Sequence, residues 1–229
     1  MLLEQALVQH LQDTTKTFEE KNGTCEDLVA IGGIALYCHM KSNSLAPMLA
    51  THDADIVCGF LSFQDLRDIY EVSSNGTLQK HEYKIELVIT EESNKELIDV
   101  DVYVTHQSSL QLDLTEVIEH SIIIDGLRCA HLAHLLLLKI DTYTSFINDK
   151  SNTESPKFTK IVHDILQIVG LLTLDQLSTE IISKNINEQR LTALLDILNN
   201  HKLIYSNTCK HFSVACFTAT VDGIKEACA

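Results

Sequence analysis

The chain has 229 residues, 45% of them hydrophobic and 21% charged, with only two prolines; that balance excludes a long disordered segment and permits a substantial core. A formal net charge of −15, from 32 acidic against 17 basic residues, repels a phosphate backbone and argues against a DNA-binding surface, although a single nucleotide can still bind through a cation. Seven cysteines, scattered without a CxxC pair, read as reduced and mostly buried thiols in a cytoplasmic protein.

The first segment, residues 2–21, sets Leu3, Ala6, Leu7, His10 and Leu11 at helical spacing and stops at Asn22-Gly23, which predicts a lead-in helix rather than a signal peptide. Leu28-Val29-Ala30-Ile31 has the length of a buried strand, and Gly32-Gly33 then opens a helix-permissive stretch from Ile34 to Met40. After a loop containing Pro47, residues Asp53 to Cys58 alternate as on a half-buried strand, and Ser62 is placed to cap a helix from Phe63 to about Tyr70.

Asn75-Gly76 marks a turn, and Glu82–Thr90 and Leu97–Val104 read as two neighbouring strands. Beyond Ile122-Ile123-Ile124-Asp125-Gly126 the periodicity becomes helical, from Leu127 through Phe146 and again over Phe158–Val169 and Asn187–Leu198. Two domains are therefore expected, an α/β (α+β) domain over 1–126 and a C-terminal helical bundle over 127–229. Residues 148–157 have linker composition, and 201–229 fit neither period. The longest apolar run, around Leu135–Leu138, falls far short of the roughly 20 residues of a membrane span, so no membrane association is expected.

One constellation carries chemistry. Asp53 and Asp55 stand two apart on a predicted strand, so both carboxylates project from one side, and a hard cation such as Mg²⁺ or Mn²⁺ would relieve their repulsion while leaving positions for substrate phosphates. About twenty residues upstream, the strand-Gly32-Gly33-helix element lets backbone N–H groups approach an anion at a helix N-terminus. Downstream, Leu97–Val104 places Asp99 and Asp101 on one face, opposite Ile98, Val100, Val102 and Val104; either can supply a third carboxylate for a two-metal site, and as a base it can also receive a hydroxyl proton.

The segments Ile31-Gly32-Gly33-Ile34-Ala35-Leu36, Thr51-His52-Asp53-Ala54-Asp55-Ile56 and Asp99-Val100-Asp101-Val102-Tyr103 resemble the nucleotidyltransferase fold of the DNA polymerase β superfamily, its AbiEii-like branch above all, which includes toxins of toxin–antitoxin systems. The resemblance extends over roughly residues 28–172, through Leu127–Asp141 and on to Lys160 and Asp164-Ile165. It implies a mixed, twisted sheet with helices on one side, metal binding by Asp53, Asp55 and Asp101, and nucleotide contacts from Gly32, Gly33, Thr51 and Lys139. Asp101 is favoured over Asp99 because the following Val-Tyr-Val fits the family's strand. Two positions depart from the family's pattern: Leu49 stands where an arginine often precedes the threonine, and Ile161 follows Lys160 where an aspartate is usual.

Other residues have simpler readings. Lys139 can reach a phosphate or snorkel from a half-buried helix face. The groups Cys129, His131, His134 and Cys209, His211, Cys216 lack zinc spacing, and the first reads as polar residues at a helix surface; Asp164 either supports the site from the helical part or is an exposed helix residue, the simpler reading, and Asp125-Gly126 reads as turn chemistry. The function expected is Mg²⁺-dependent transfer of a nucleoside monophosphate from an NTP to a hydroxyl of a protein, RNA or small molecule; the alternative is a catalytically inactive binding or regulatory module on the same fold.

Overall fold

A computed structural model describes residues 3–46, 49–75, 80–88, 95–108, 110–148, 155–201, 204, 206–207 and 212–227. They form a mixed α/β protein: a seven-stranded sheet and, after it in the chain, a run of helices. By contacts the chain divides into two units, Met1–His131 and Leu132–Ala229.

The first unit opens with α1 (Leu3–Asn22), whose buried Leu3, Ala6, Leu7, Leu11 and Phe18 repeat at helical spacing. Then follow β1 (Leu28–Ile31), α2 (Gly32–Ser42), β2 (Ala54–Cys58), α3 (Phe60–Ile69), β3 (Ser73–Asn75), β4 (Lys80–Val88), β5 (Lys95–Val104), α4 (Leu114–Glu119), β6 (Ile122–Ile124) and β7 (Leu127–Cys129). Strand order is β3-β4-β5-β2-β1-β7-β6. β2 runs parallel to β5 and β1 parallel to β7, while the remaining pairs are antiparallel.

At β4 and β5 the core lies on one face of this sheet, while all of β1 and Val57 of β2 are buried as well. Ile98, Val100, Val102 and Val104 of β5 are at most 4% exposed, and across the ladder Tyr83 and Ile85 of β4 and Ala54, Ile56 and Cys58 of β2 are buried beside them. Burying that many branched side chains contributes about 1.5–3 kcal/mol each, which is why β5 tolerates aspartates only at the alternate positions. α1 covers this face at β4, where His10 Nε2 lies 3.3 Å from the Tyr83 hydroxyl.

Several expectations change here. Ser62 does not cap a helix: α3 begins at Phe60, its N-cap is Gly59, and Ser62 inside the first turn donates its hydroxyl hydrogen to Asp27. Leu127 does not begin a helix either. Asp125 (φ 50) and Gly126 (φ 79) form the two-residue turn of a β6–β7 hairpin with Ile124 opposite Leu127, and two left-handed residues match strand twist as a type I′ turn does. The helix expected from Leu127 starts at Leu132. The continuation of β4 to Thr90, Pro47, Gly76 and the core of the linker at 149–154 lie outside the described residues, as do Cys209 and His211.

His39 of α2 is buried, and its Nε2–H donates to the Ala130 carbonyl at 2.9 Å. Burial holds its pKa below the ordinary 6.5, the hydrogen bond to Ala130 opposing and His131 assisting. The folded state therefore refuses a proton that the unfolded chain accepts, so stability is complete above about pH 6.5 and is lost as pH falls through the lowered folded value. His10, also lowered chiefly by burial, acts in the same direction. Thermal melts are expected to show Tm falling between pH 7 and pH 5.5, with a shallower fall in His39→Gln, whose amide can still donate to Ala130; an unchanged slope in that variant would assign the acid sensitivity elsewhere.

The second unit consists, among the described residues, of α5 (Leu132–Asn148), α6 (Pro156–Leu171), α7 (Gln176–Asn185), α8 (Glu188–Asn200) and α9 (Val214–Ala227). α5 packs against α6, α7 and α8, so Leu135, Leu136 and Leu137 are buried in succession, as befits a helix enclosed on several sides. Three of the other starts are capped: Ser155 accepts from Phe158 N with Pro156 following it, Asp175 from Ser178 N, and Asn187 from Arg190 N. No helix among the described residues is long and apolar enough to cross a membrane.

Candidate active site

β1 passes into α2 without a loop, and Gly32 makes the junction with φ +62. An L residue is strained in that region. A Cβ at Gly32 would also stand 2.1 Å from Asp55 Oδ2, so the Asp55 carboxylate occupies the space that any other residue would need. It lies over the opening turn of α2, whose N-cap residue Ile31 makes no side-chain cap hydrogen bond and whose N–H dipoles favour negative charge. Gly32→Ala is expected to lower Tm by several degrees, at about 1–2 kcal/mol for the backbone alone, and to force Asp55 aside; a melt matching the parent protein would mean that the carboxylate yields freely.

The sheet register brings the carboxylates together. Asp55 on β2 pairs with Asp101 on β5, and Asp101 pairs in turn with Glu82 on β4. Strands sit about 4.8 Å apart and paired residues face the same way, so one row across three strands presents Asp55, Asp101 and Glu82 on the face opposite Ile98, Val100 and Val102. Of the two aspartates on β5, it is Asp101 that stands beside Asp55; Asp99 lies one pleat farther along, half exposed, with Lys84 at 2.8 Å.

Asp53 sits differently from its expected place. β2 begins at Ala54, so Asp53 occupies the bend before the strand, exposed, and its orientation comes from Thr51. The buried Thr51 hydroxyl donates to Asp53 Oδ1 at 3.0 Å. All three aspartates nonetheless act on one group. Tyr103, which follows Asp101 on the same face, has its hydroxyl pKa raised above the ordinary range, first by burial and then by the negative charges of Asp55, Asp101 and Asp53.

β4 contributes residues that sequence reading missed. Lys80, Glu82, Lys84 and Glu86 alternate with His81, Tyr83, Ile85 and Leu87, which puts four charges on the row's face. Lys80 Nζ donates to Asp101 Oδ2, and the two side chains are only 16% and 17% exposed. The period-2 pattern of charges was visible in sequence; the register that aims Lys80 at Asp101 was not.

Lys139 belongs to the second unit, where its ammonium bonds Asp164 Oδ2 at 2.7 Å and Lys160 reaches the same oxygen at 3.1 Å. Asp164 is therefore a buried anion with two cations, not an exposed helix residue. His134 is likewise fully buried, not at a helix surface, and Cys129 lies on β7 rather than on its helix. Leu49, at the position of the missing arginine, is exposed.

The donors in the row are all carboxylate oxygens, the kind that Mg²⁺ and Mn²⁺ take, but no three of Asp53, Asp55, Asp101 and Glu82 each bring an oxygen within 4.8 Å of the others, so the protein itself offers an ion only the register pair Asp55 and Asp101.

No protein-family model matches the chain, and no curated protein does. Two solved structures from Helicobacter pylori align with most of it. One is the protein JHP933, at 12% identity over 92% of this chain and 96% of that one, with a TM-score of 0.46. The other is a candidate nucleotidyltransferase, at 12% identity over 93% and 100%, with a TM-score of 0.37. At these values neither likeness decides the fold family or the chemistry of this chain.

Proposed function

We propose that the chain is a nucleotidyltransferase, moving a nucleoside monophosphate from an NTP to a hydroxyl of a protein, RNA or small molecule with Mg²⁺ or Mn²⁺ held by Asp53, Asp55 and Asp101. The observation that supports it most is the register pairing of Asp55 with Asp101 beside the Gly32 turn, which sets acidic oxygens next to a helix N-terminus. In this reading the backbone N–H groups of Gly32 and Gly33 receive the triphosphate, and Thr51 holds Asp53 in place. The acceptor oxygen bonds to the α-phosphorus as the α–β phosphoanhydride bond breaks; pyrophosphate leaves, and the hydroxyl proton passes to a carboxylate of the row, Asp101 by position. The cation, when bound, neutralises the phosphates and polarises the reacting group. A cytoplasmic setting and a toxin-like role are part of the same proposal.

A second reading, a binding or regulatory module without catalysis, draws on Lys80, which gives Asp101 a counter-charge with no metal. Incubation with α-labelled NTPs, Mg²⁺ and cell extract separates the two. Transfer of label to a protein, an RNA or a small molecule supports the enzyme and names the acceptor class, and no label with any of the four NTPs supports the module.

A further inference from the structure

In the helical unit, α5 and α8 border an open groove of about 480 Å³, a volume within the range of small-molecule sites and a place, between helices of a bundle, where such sites form. Tyr143, Ile147 and Ala193 give it apolar walls, Glu188 and Asp196 carry its charge, and none of the nine described residues that line it is basic. Asp196 is unlike its neighbours in the unit. Asp141 and Asp164 enter the interior with cations, the first with Arg190 and the second with Lys139 and Lys160. Asp196 is half-buried as well, yet its donors are neutral: Oδ2 accepts from the Tyr143 hydroxyl and Oδ1 from the Asn200 amide. No cation reaches it among the described residues. His201, whose Nε2 lies 3.4 Å from the Tyr143 hydroxyl, is held below its ordinary pKa by burial against the pull of Asp196, so at neutral pH it adds no positive charge. A half-buried carboxylate without a counter-charge is costly, and on the wall of a groove that cost is relieved by a cationic ligand.

We propose that the groove between α5 and α8 binds a linear aliphatic diamine or polyamine, with one ammonium on Asp196, a second at Glu188, and the methylene chain lying along Ile147 and Ala193. The spacing sets the length of the ligand. Glu188 and Asp196 are eight residues apart on one helix, about 12 Å at a rise of 1.5 Å per residue, which an eight-carbon diamine spans and a four-carbon one does not. Asp196 supplies most of the affinity because it is half-buried; Glu188, exposed at the start of α8, supplies less. The inference concerns the helical unit alone and is independent of the nucleotidyltransferase reading.

The test is calorimetric titration of the full chain at one fixed ionic strength with octamethylenediamine, octylamine, putrescine and spermidine. Octamethylenediamine is expected to bind more tightly than octylamine, which has one charge on the same chain, and than putrescine, which is too short to bridge; spermidine, of nearly the length of octamethylenediamine, should bind as well as it does. Asp196→Asn should weaken binding at least about tenfold, the scale of a hydrogen bond to a charged group, and Glu188→Gln about threefold. Thr192→Lys places a tethered ammonium four residues before Asp196 on the same helix; it should abolish amine binding without lowering Tm, which separates loss of the site from loss of the fold. Glu180→Gln removes an exposed charge from α7 and should leave every affinity unchanged. No binding of octamethylenediamine up to about a millimolar, unchanged affinity in Asp196→Asn and Thr192→Lys, or equal weakening in Glu180→Gln overturns the site. Equal affinities for octylamine and octamethylenediamine overturn the bridging role of Glu188.

Discussion

Asp55→Asn is expected to lower nucleotidyl transfer at least about a hundredfold, the scale on which a charge-stabilising group at a reacting centre acts, while Tm stays close to that of the parent protein. Asparagine has nearly the same volume and keeps the space over Gly32 filled, so the fold loses little. What disappears is the negative charge beside Asp101 that a cation would bridge. Asp99→Asn is the matched control: Asp99 lies on the same strand and face but is half exposed and paired with Lys84, so activity should stay within about twofold, as for an exposed ion pair. Initial rates with labelled NTP, read with thermal melts, check both. Equal losses in the two variants would show that charge on this face, rather than its register, governs activity.

The largest effect on stability is expected in the helical unit. Arg190, only 5% exposed, makes two bonds of 2.7 Å to the Asp141 carboxylate and also donates to the Asn185 carbonyl. The guanidinium cannot be deprotonated, so Asp141→Ala strands a permanent charge. The cost is about 3–5 kcal/mol, and at about 2–4 °C per kcal/mol this is a loss of Tm on the order of 10 °C. Arg190→Leu combined with Asp141→Leu should recover much of that, because a desolvated pair contributes little net once both charges are gone. Calorimetry on Asp141→Leu, Arg190→Leu and the double variant measures the coupling directly, and simple additivity would mean that the pair is solvated after all.

Legibility in the sequence tracked the range of the interaction concerned. β1, α2, β2 and β5 were readable because each is announced by local signals: a short apolar run ending at Gly32-Gly33, or the strict alternation of Ile98, Val100, Val102 and Val104 with Asp99 and Asp101. α4 and α7 went unseen, being short helices whose apolar residues are too few to establish a period. The β6–β7 hairpin was misassigned although Asp125-Gly126 is a strong turn signal, because Leu127 also suits the helical pattern of Leu132–Asn148. The charge of Asp164 by itself suggests exposure, since the two lysines that accompany it into the interior lie 25 and 4 residues away.

By itself, the sequence determined the α/β class, the helical C-terminal half, the apolar face of β5 and the short set of acidic residues worth considering, all properties of neighbouring residues and backbone stereochemistry. Which of those acids stand together was decided only by strand pairing. The hydrogen-bond ladder joins β2 to β5 across more than forty residues of chain and selects Asp101 rather than Asp99 as the partner of Asp55, and a slip of one residue would turn Asp101 to the opposite face. The neighbouring β4–β5 ladder carries Lys80 to Asp101, because register depends on the burial of a whole face at once and no local pattern encodes it.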